Sequence, residues 1–383
     1  MIKRILYTLL IMFPVLASAQ INTDRVMAIG RNALYFEDYV LSIQYFNQVI
    51  NAKPYLSDPY FYRGLAKINL DDFQGAESDC SEAIERNPFV VSAYQVRGLA
   101  RIQQNNFAGA IEDYTKALEF DPENIGVWHN MALCRIRQED YKGAKNDLDK
   151  LIAISPRYTK AYLMRGEVDL KQKDTLAAEK DFGKAIEIDR YDADTWASRA
   201  ILRLQQQRYK DAEADFDHAI RLSTRNSGVY INRALARYHQ NNLRGAMSDY
   251  DIALDIDPNN FIGHYNRGLL RAQVGDDNRA IQDFNFVIEM EPDNMMAIFN
   301  RGLLLDQTGD YKGAIKDYST VINEYPNFLL GYQYRAQARR KIGDVKGADA
   351  DEFKVLKAQL DKQNGVDPNK QTADNTENNK TRK

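Results

Sequence analysis

At 383 residues the chain is long enough for two or three globular domains, or for one elongated array of repeats. A formal charge of −3 offers no basic excess to follow a phosphate backbone, which argues against nucleic acid as a partner. With 44% apolar and 27% charged residues, and ten prolines, the composition favours a helical core under a solvated surface over a sandwich or barrel.

The first predicted element is a targeting segment, residues 1–19. Lys3 and Arg4 form a positive start, Ile5 to Leu16 an apolar stretch, and Ala17-Ser18-Ala19 a small-residue cleavage site that leaves Gln20 as the mature N-terminus. The apolar stretch is shorter than the ~20 residues a spanning helix needs, and no later run is long enough to span. No Cys follows the cleavage site to take a lipid. The expectation is an exported bacterial protein, periplasmic or secreted.

From residue 20 to 362 the chain repeats itself every 34 residues. Pro54, Pro88, Pro122, Pro156, Pro258, Pro292 and Pro326 lie on one grid, and Arg190 and Thr224 fill its two vacant slots. With each Pro at position 32, ten units start at Thr23, Ser57, Val91, Ile125, Thr159, Ala193, Ser227, Phe261, Met295 and Leu329. Position 8 is Gly or Ala throughout (Gly30, Gly64, Gly98, Gly166, Gly268 and Gly302 among them), and position 20 is Ala in every unit but the first, which has Ser42. Position 4 is mostly aromatic, from Tyr60 to Tyr332, and position 24 mostly large, as in Phe46, Tyr114, Phe182 and Tyr318.

These spacings predict two helices per unit. Positions 4, 8 and 11 share one face of a first helix, and 20, 24 and 27 one face of a second. Turn formers such as Asn105-Asn106, Gly275-Asp276 and Gly309-Asp310 separate them, and the position-32 Pro ends the second. A helical Gly costs ~1 kcal/mol relative to Ala. Six at one grid position therefore need a reason, and close approach of the two backbones, to ~8 Å, supplies one.

The pattern of small residue at 8, Ala at 20, aromatic at 24 and Pro at 32 resembles the tetratricopeptide repeat (TPR), over nearly the whole mature chain. The resemblance implies an all-α fold, a right-handed superhelical solenoid of antiparallel helix pairs, in which the first helices line a concave groove. It departs from the family at position 7, where the family usually has Leu.

Position 7 is instead Arg in eight units, from Arg63 to Arg335, and position 23 is Asp in nine, from Asp79 to Asp351. Both columns lie on the packed faces, where lone charges would be costly. Bidentate pairing between them is expected, rather than a metal-binding or catalytic carboxylate ladder, because recurrence in every unit marks architecture. In the fourth unit Met131 takes the Arg position, so Asp147 should turn to Arg135 or to a neighbouring unit.

Signs of chemistry are sparse. HExxH, GxSxG, P-loop, GxGxxG and CxxC patterns do not occur, and His129, His218, His239 and His264 sit at unrelated grid positions. No metal, cofactor or catalytic residue is assigned, and the chain is expected not to be an enzyme. The family resemblance places ligand-facing residues at positions 2, 5, 9, 12 and 13 of the first helix. In units seven to nine these include Ile231, Leu235, Tyr238, His239, Tyr265, Leu269, Gln273, Met296, Phe299, Leu303, Asp306 and Gln307, an apolar strip with a polar edge. Such a strip suits an extended peptide or a partner helix. Units four and five offer a charged patch of His129, Arg137, Lys160, Glu167 and Lys171. The family's clamp for chaperone C-termini, Lys at 5 with Asn at 9, is absent. The expected function is a protein-protein interaction scaffold or adaptor of the periplasm or cell envelope. Its alternative is an accessory subunit of a secretion or envelope-biogenesis complex with a carbohydrate- or peptidoglycan-related role. A sugar-processing enzyme would need an inserted domain or a clustered acid–base pair, and no insertion occurs; an RNA-reading helical repeat would have a 35-residue period.

The end units should differ from the rest. Val26 and Ile29 are atypical in the first, and Glu352, Lys354, Lys357 and Gln359 should give the last a polar outer face. Residues 363–383 are polar and lack aromatics, and are expected to be a disordered tail. Cys80 and Cys134, separated by both helices of the third unit, should be free buried thiols, because packed layers exceed the ~7 Å that a disulfide spans between Cα atoms.

Overall fold

A computed structural model describes residues 22–363, so the targeting segment and all of the polar tail but Gln363, which ends the last helix, lie outside the described residues. Among the described residues there are twenty α-helices and no strand. They fall into two units of five helix pairs each, the first ending at Arg190 and the second beginning at Tyr191. In the first unit the pairs are α1 (Thr23–Tyr35) with α2 (Tyr39–Ala52), α3 (Asp58–Ile68) with α4 (Phe73–Arg86), and α5 (Val91–Gln103) with α6 (Phe107–Phe120). The pairs α7 (Ile125–Arg137) with α8 (Tyr141–Ile154) and α9 (Thr159–Lys171) with α10 (Thr175–Ile188) complete it. The second unit opens with α11 (Ala193–Gln205) and α12 (Tyr209–Leu222), then α13 (Ser227–His239) and α14 (Leu243–Ile256). It continues with α15 (Phe261–Gln273) and α16 (Asp277–Met290), α17 (Met295–Thr308) and α18 (Tyr311–Glu324), and α19 (Leu329–Lys341) and α20 (Val345–Gln363).

Nine of the ten first helices begin on the predicted residue. The exception, α3, starts one residue late because Ser57 turns its hydroxyl inward and donates to the Ala83 carbonyl at 2.8 Å. Nine of the ten second helices end before position 32, while α20 runs on to Gln363, and α10 and α12 stop at the register of the others although Arg190 and Thr224 stand where those have Pro. Proline is therefore compatible with the stop and is not its sole cause.

One short junction connects the two helices of each pair. Position 15 takes the left-handed conformation in all ten repeats, with φ between 58° and 92°. In nine of them the next residue donates its N–H to the position-11 carbonyl, as Asp140 does to Arg135 at 2.9 Å. This is the bond of a Schellman cap, which satisfies a carbonyl the helix end leaves free. The side chain of the same residue then opens the second helix: Asp38, Asp72, Asn106, Asp140, Asp174, Asn242, Asp310 and Asp344 each accept from the N–H three residues on.

Five of the six glycines at position 8 make room for a ring, and the sixth, Gly64, for the Cys80 sulfur and the Ala76 carbonyl. A Cβ on Gly30 would lie 2.7 Å from the Phe46 ring, on Gly166 2.6 Å from Phe182, and on Gly302 2.9 Å from Tyr318. Each of these rings is the fully buried position-24 residue of the same repeat. Burying such a ring is worth ~2–3 kcal/mol, which exceeds the ~1 kcal/mol that a helical Gly costs.

The Arg and Asp columns meet as expected. Arg63, Arg97, Arg165, Arg199, Arg233, Arg267, Arg301 and Arg335 each grip the buried Asp sixteen residues on through Nε and Nη2, at 2.5–3.1 Å. A cation at position 11 closes on the same Asp column in seven repeats, as a second partner from Lys67, Arg101, Arg203, Arg237, Arg271 and Arg339 and as the sole one from Arg135. In seven repeats the remaining Nη1 of the position-7 Arg crosses to position 25 of the preceding repeat, as from Arg233 to Asp217 at 2.7 Å and from Arg335 to the Ser319 hydroxyl at 2.9 Å; before Arg199 that slot is Gly183, which has no side chain to offer. In those seven repeats one guanidinium thus fixes a helix pair internally and sets its register on the repeat before it. Such a pair selects one arrangement more than it adds net stability.

The fourth repeat lacks one of these partners. Met131 fills the Arg position inside the core, and Asp147 is met by Arg135 alone, at 2.7 Å. Its Oδ2 is buried with no hydrogen-bond partner, and burial pushes the carboxyl up to about 6, with Arg135 offsetting only part of that cost.

Cys80 and Cys134 are free and buried, and burial pushes their thiols up to about 12 and about 11. On the last helix Glu352, Lys354, Lys357 and Gln359 are exposed as expected, but an apolar stripe that was not expected is exposed beside them. Phe353, Leu356 and Leu360 of α20 are exposed along one face, while Glu352 is tied to Arg340 at 2.7 Å.

Candidate functional site

Inward packing and the charge ladder use positions 4, 7, 8 and 11 of each first helix, which leaves positions 2, 5, 9, 12 and 13 to face outward. In the second unit this face is continuous from one repeat to the next. Asn300 donates to the Tyr265 hydroxyl at 3.1 Å, and Lys341 pairs with Asp306 at 3.0 Å, each bond joining adjacent first helices.

The twelve sequence-predicted residues divide by burial. Leu269 and Met296 stand open, 40% and 61% exposed, and Gln273, Gln307 and His239 are exposed beside them. His239 stacks on Tyr209 with ring centroids 4.6 Å apart. Leu235, Tyr238, Tyr265 and Leu303 are half-buried, and the last three pack against the core. Phe299 is half-buried within 5.0–5.8 Å of the rings of Tyr318, Phe328 and Tyr334. Asp306 is neutralised by Lys341. Ile231 is a correction: at 6% exposure it belongs to the core around Tyr250 and Leu270 and presents almost nothing to a partner.

Two apolar residues of this face were missed by the sequence reading. Ile262 and Leu330 are 51% and 50% exposed at position 2, the grid slot of Met296, and that shared slot was the available signal. With Leu269 and Met296 they give three successive repeats open apolar side chains on the same face, interleaved with uncharged amides.

Where α17 begins, a recess of ≈310 Å³ adjoins this face. Its walls are Met295, Met296 and Phe299 of α17, Val321 near the end of α18, and Tyr325 and Phe328 of the link to α19; Asp293 and Asn294 stand at its rim.

The charged patch lies in the first unit. Arg137, Lys160, Glu167 and Lys171 are exposed, and His129 is half-buried with Nδ1 3.4 Å from the Tyr158 hydroxyl. Burial, with Lys160 adding to it, holds His129 below the usual imidazole range. His264 belongs to the ladder instead, with Nδ1 3.0 Å from Asp283 and Nε2 3.0 Å from the Pro258 carbonyl. Among the described residues no group of three or more His, Cys, Asp or Glu gathers where it could hold a metal ion, and no helix is long and apolar enough to cross a membrane. The arrangement offers contact area, amide hydrogen bonds and an aromatic recess, which are means of holding a polypeptide.

Family models agree with this geometry. Models described as tetratricopeptide repeat match residues 125–158 and 159–192, which coincide with the fourth and fifth grid units, and residues 198–261 and 265–327. A further TPR repeat model matches 98–134, and together the matches span more than half of the chain. Among solved structures, a tetratricopeptide repeat protein from Parabacteroides merdae is similar at 21% identity, over 65% of this chain and 98% of its own, with a TM-score of 0.51. The C-terminal part of a TPR repeat-containing protein from Cytophaga hutchinsonii is similar at 17% identity, over 62% of this chain and 97% of its own, also with a TM-score of 0.51. At these identities the likeness speaks for the fold. No curated protein matches the chain.

Proposed function

This chain belongs to the tetratricopeptide-repeat family, and from that premise we propose that it is an exported, non-catalytic adaptor that holds a segment of a partner protein on the first-helix face of repeats seven to ten. The observation that carries this reading is the run of open apolar side chains on that face: Ile262, Leu269, Met296 and Leu330. Side chains of this kind in contiguous patches mark interaction sites, whereas single exposed apolar residues are ordinary. The polar neighbours Gln273, Gln307 and His239 are exposed, and their amide and imidazole groups suit the backbone of an extended or helical segment. Export rests on the targeting pattern of residues 1–19, which leads to the cell envelope as the place where the partner is met.

Substitution at the open positions tests it. Leu269→Glu combined with Met296→Glu should leave helix content and melting temperature near wild type, because both side chains are already exposed. The same pair should abolish retention of partner proteins from an envelope extract, quantified by mass spectrometry. Lys210→Glu, at an exposed second-helix site, should retain the wild-type set. Equal retention by all three proteins would refute the assignment of this face.

A further inference from the structure

We propose that the recess at the start of α17 is an anchor pocket for one aromatic side chain of the partner protein, with a Lys or Arg beside it in the partner's sequence. This deepens the reading of the first-helix face and rests on it, since Met296 and Phe299 belong to both.

The walls select the aromatic. Phe299, Tyr325 and Phe328 supply three rings, and Met295 and Met296 two thioethers, around ≈310 Å³. That volume lies at the lower end of ligand pockets, with room for one large side chain. Aromatic pairs gain ~0.5–1.5 kcal/mol beyond their buried area, and Met adapts its shape to a ring and makes favourable sulfur–aromatic contacts. Met296 and Tyr325 are both more than half exposed, so an inserted ring would cover apolar surface that water now touches.

The rim selects the cation. Asn294 is occupied, since it caps the Ala297 N–H at 3.0 Å and donates to Glu291 at 3.0 Å. The Asp293 carboxylate is exposed, and among the described residues it takes part in no side-chain hydrogen bond or ion pair. It is the only charged residue lining the recess. The corresponding place in the first repeat shows the contrast. A recess of ≈480 Å³ there is lined by Asp24 and Asp58 but also by Arg86, so its rim carries both signs. Of these two recesses, the one at α17 joins aromatic walls to one uncompensated negative charge.

The test uses the full chain labelled with ¹³C in its methionine methyl groups, with the Met296 signal assigned through Met296→Leu. The probes are two blocked tetrapeptides, acetyl-Ala-Trp-Lys-Ala-amide and acetyl-Ala-Trp-Glu-Ala-amide. The lysine peptide should shift the Met296 methyl resonance saturably, and the glutamate peptide should bind about three- to five-fold more weakly, the range of an exposed charge pair. Asp293→Asn should bring the two affinities together. No shift at Met296, or equal affinities with Asp293 intact, would overturn the proposal. Leu269→Glu separates it from the wider reading: that change removes capture of a long partner yet leaves the tetrapeptide titration unaltered. Titration at Met296 with no loss of capture would therefore condemn the groove and keep the pocket.

Discussion

Asp147 and Asp249 occupy the same grid position with different surroundings. Asp249 is gripped by Arg233 and Arg237, and Asp147 by Arg135 alone. Asp249→Asn should cost ~3 kcal/mol, since it leaves two partly buried guanidinium groups without their carboxylate. Asp147→Asn should cost less than ~1 kcal/mol at pH 7, because the charge it removes is already poorly compensated. A carboxyl whose folded pKa is raised favours the folded state only while protonated. Its contribution is present below about pH 4 and is lost as the pH rises through about 6. The stability of wild type relative to Asp147→Asn should fall across that window, as denaturant melts at pH 4 and pH 7 would record, and a pH-independent difference would count against the orphaned carboxylate. The Arg and Asp columns were legible because they recur every 34 residues. The cation at position 11 also recurs (Arg101, Arg237, Arg271), but outside the fourth repeat it was taken as part of a packed face, and the structure shows its long side chain bending to the same Asp.

At the scale of the element, the helix junction was only partly legible. Gly275, Gly309 and Gly343 announce a left-handed position, but Glu37, Glu139, Lys173 and Gln207 hold the same conformation without any such signal. The bonds to positions 11 and 19 impose it on whatever residue is there, at ~1–2 kcal/mol for a residue with a Cβ. Lys173→Gly should therefore stabilise the chain by ~0.5–1 kcal/mol despite the extra freedom of the unfolded state, an increase that a urea midpoint would resolve. A decrease would mean that the junction carries no strain. The neighbouring cap should behave oppositely: Asp140→Ala removes the acceptor of the Gly143 N–H and should cost ~1 kcal/mol. Within the helices, burial divided residues that look alike in sequence. Ile231 and Leu269 are both branched aliphatics at positions expected to face a ligand, yet one lies in the core and the other in solvent. The difference depends on how closely the next first helix packs, which no single-repeat pattern encodes. The same holds for α20, where Lys354 and Lys357 gave a polar reading but Phe353, Leu356 and Leu360 are exposed alongside them.

At the scale of the molecule, repetition made the fold class readable from proline, glycine and alanine alone, because a repeat array needs only nearest-neighbour contacts to specify it. The partner-binding face is less readable, since function in such arrays rests on the departures from the repeat. If residues 1–19 are removed on export, intact-mass measurement of the protein recovered from its native host should find Gln20 at the N-terminus, and retention of Met1 would contradict that reading. The central claim is that repeats seven to ten hold a partner on their first-helix face. A photo-crosslinking amino acid placed singly at Leu269, Met296 or Lys210, activated in intact cells, tests it most directly. The account predicts one discrete protein adduct from Leu269 and Met296 and none from Lys210. Adducts of equal yield from all three sites, or from Lys210 alone, would contradict it.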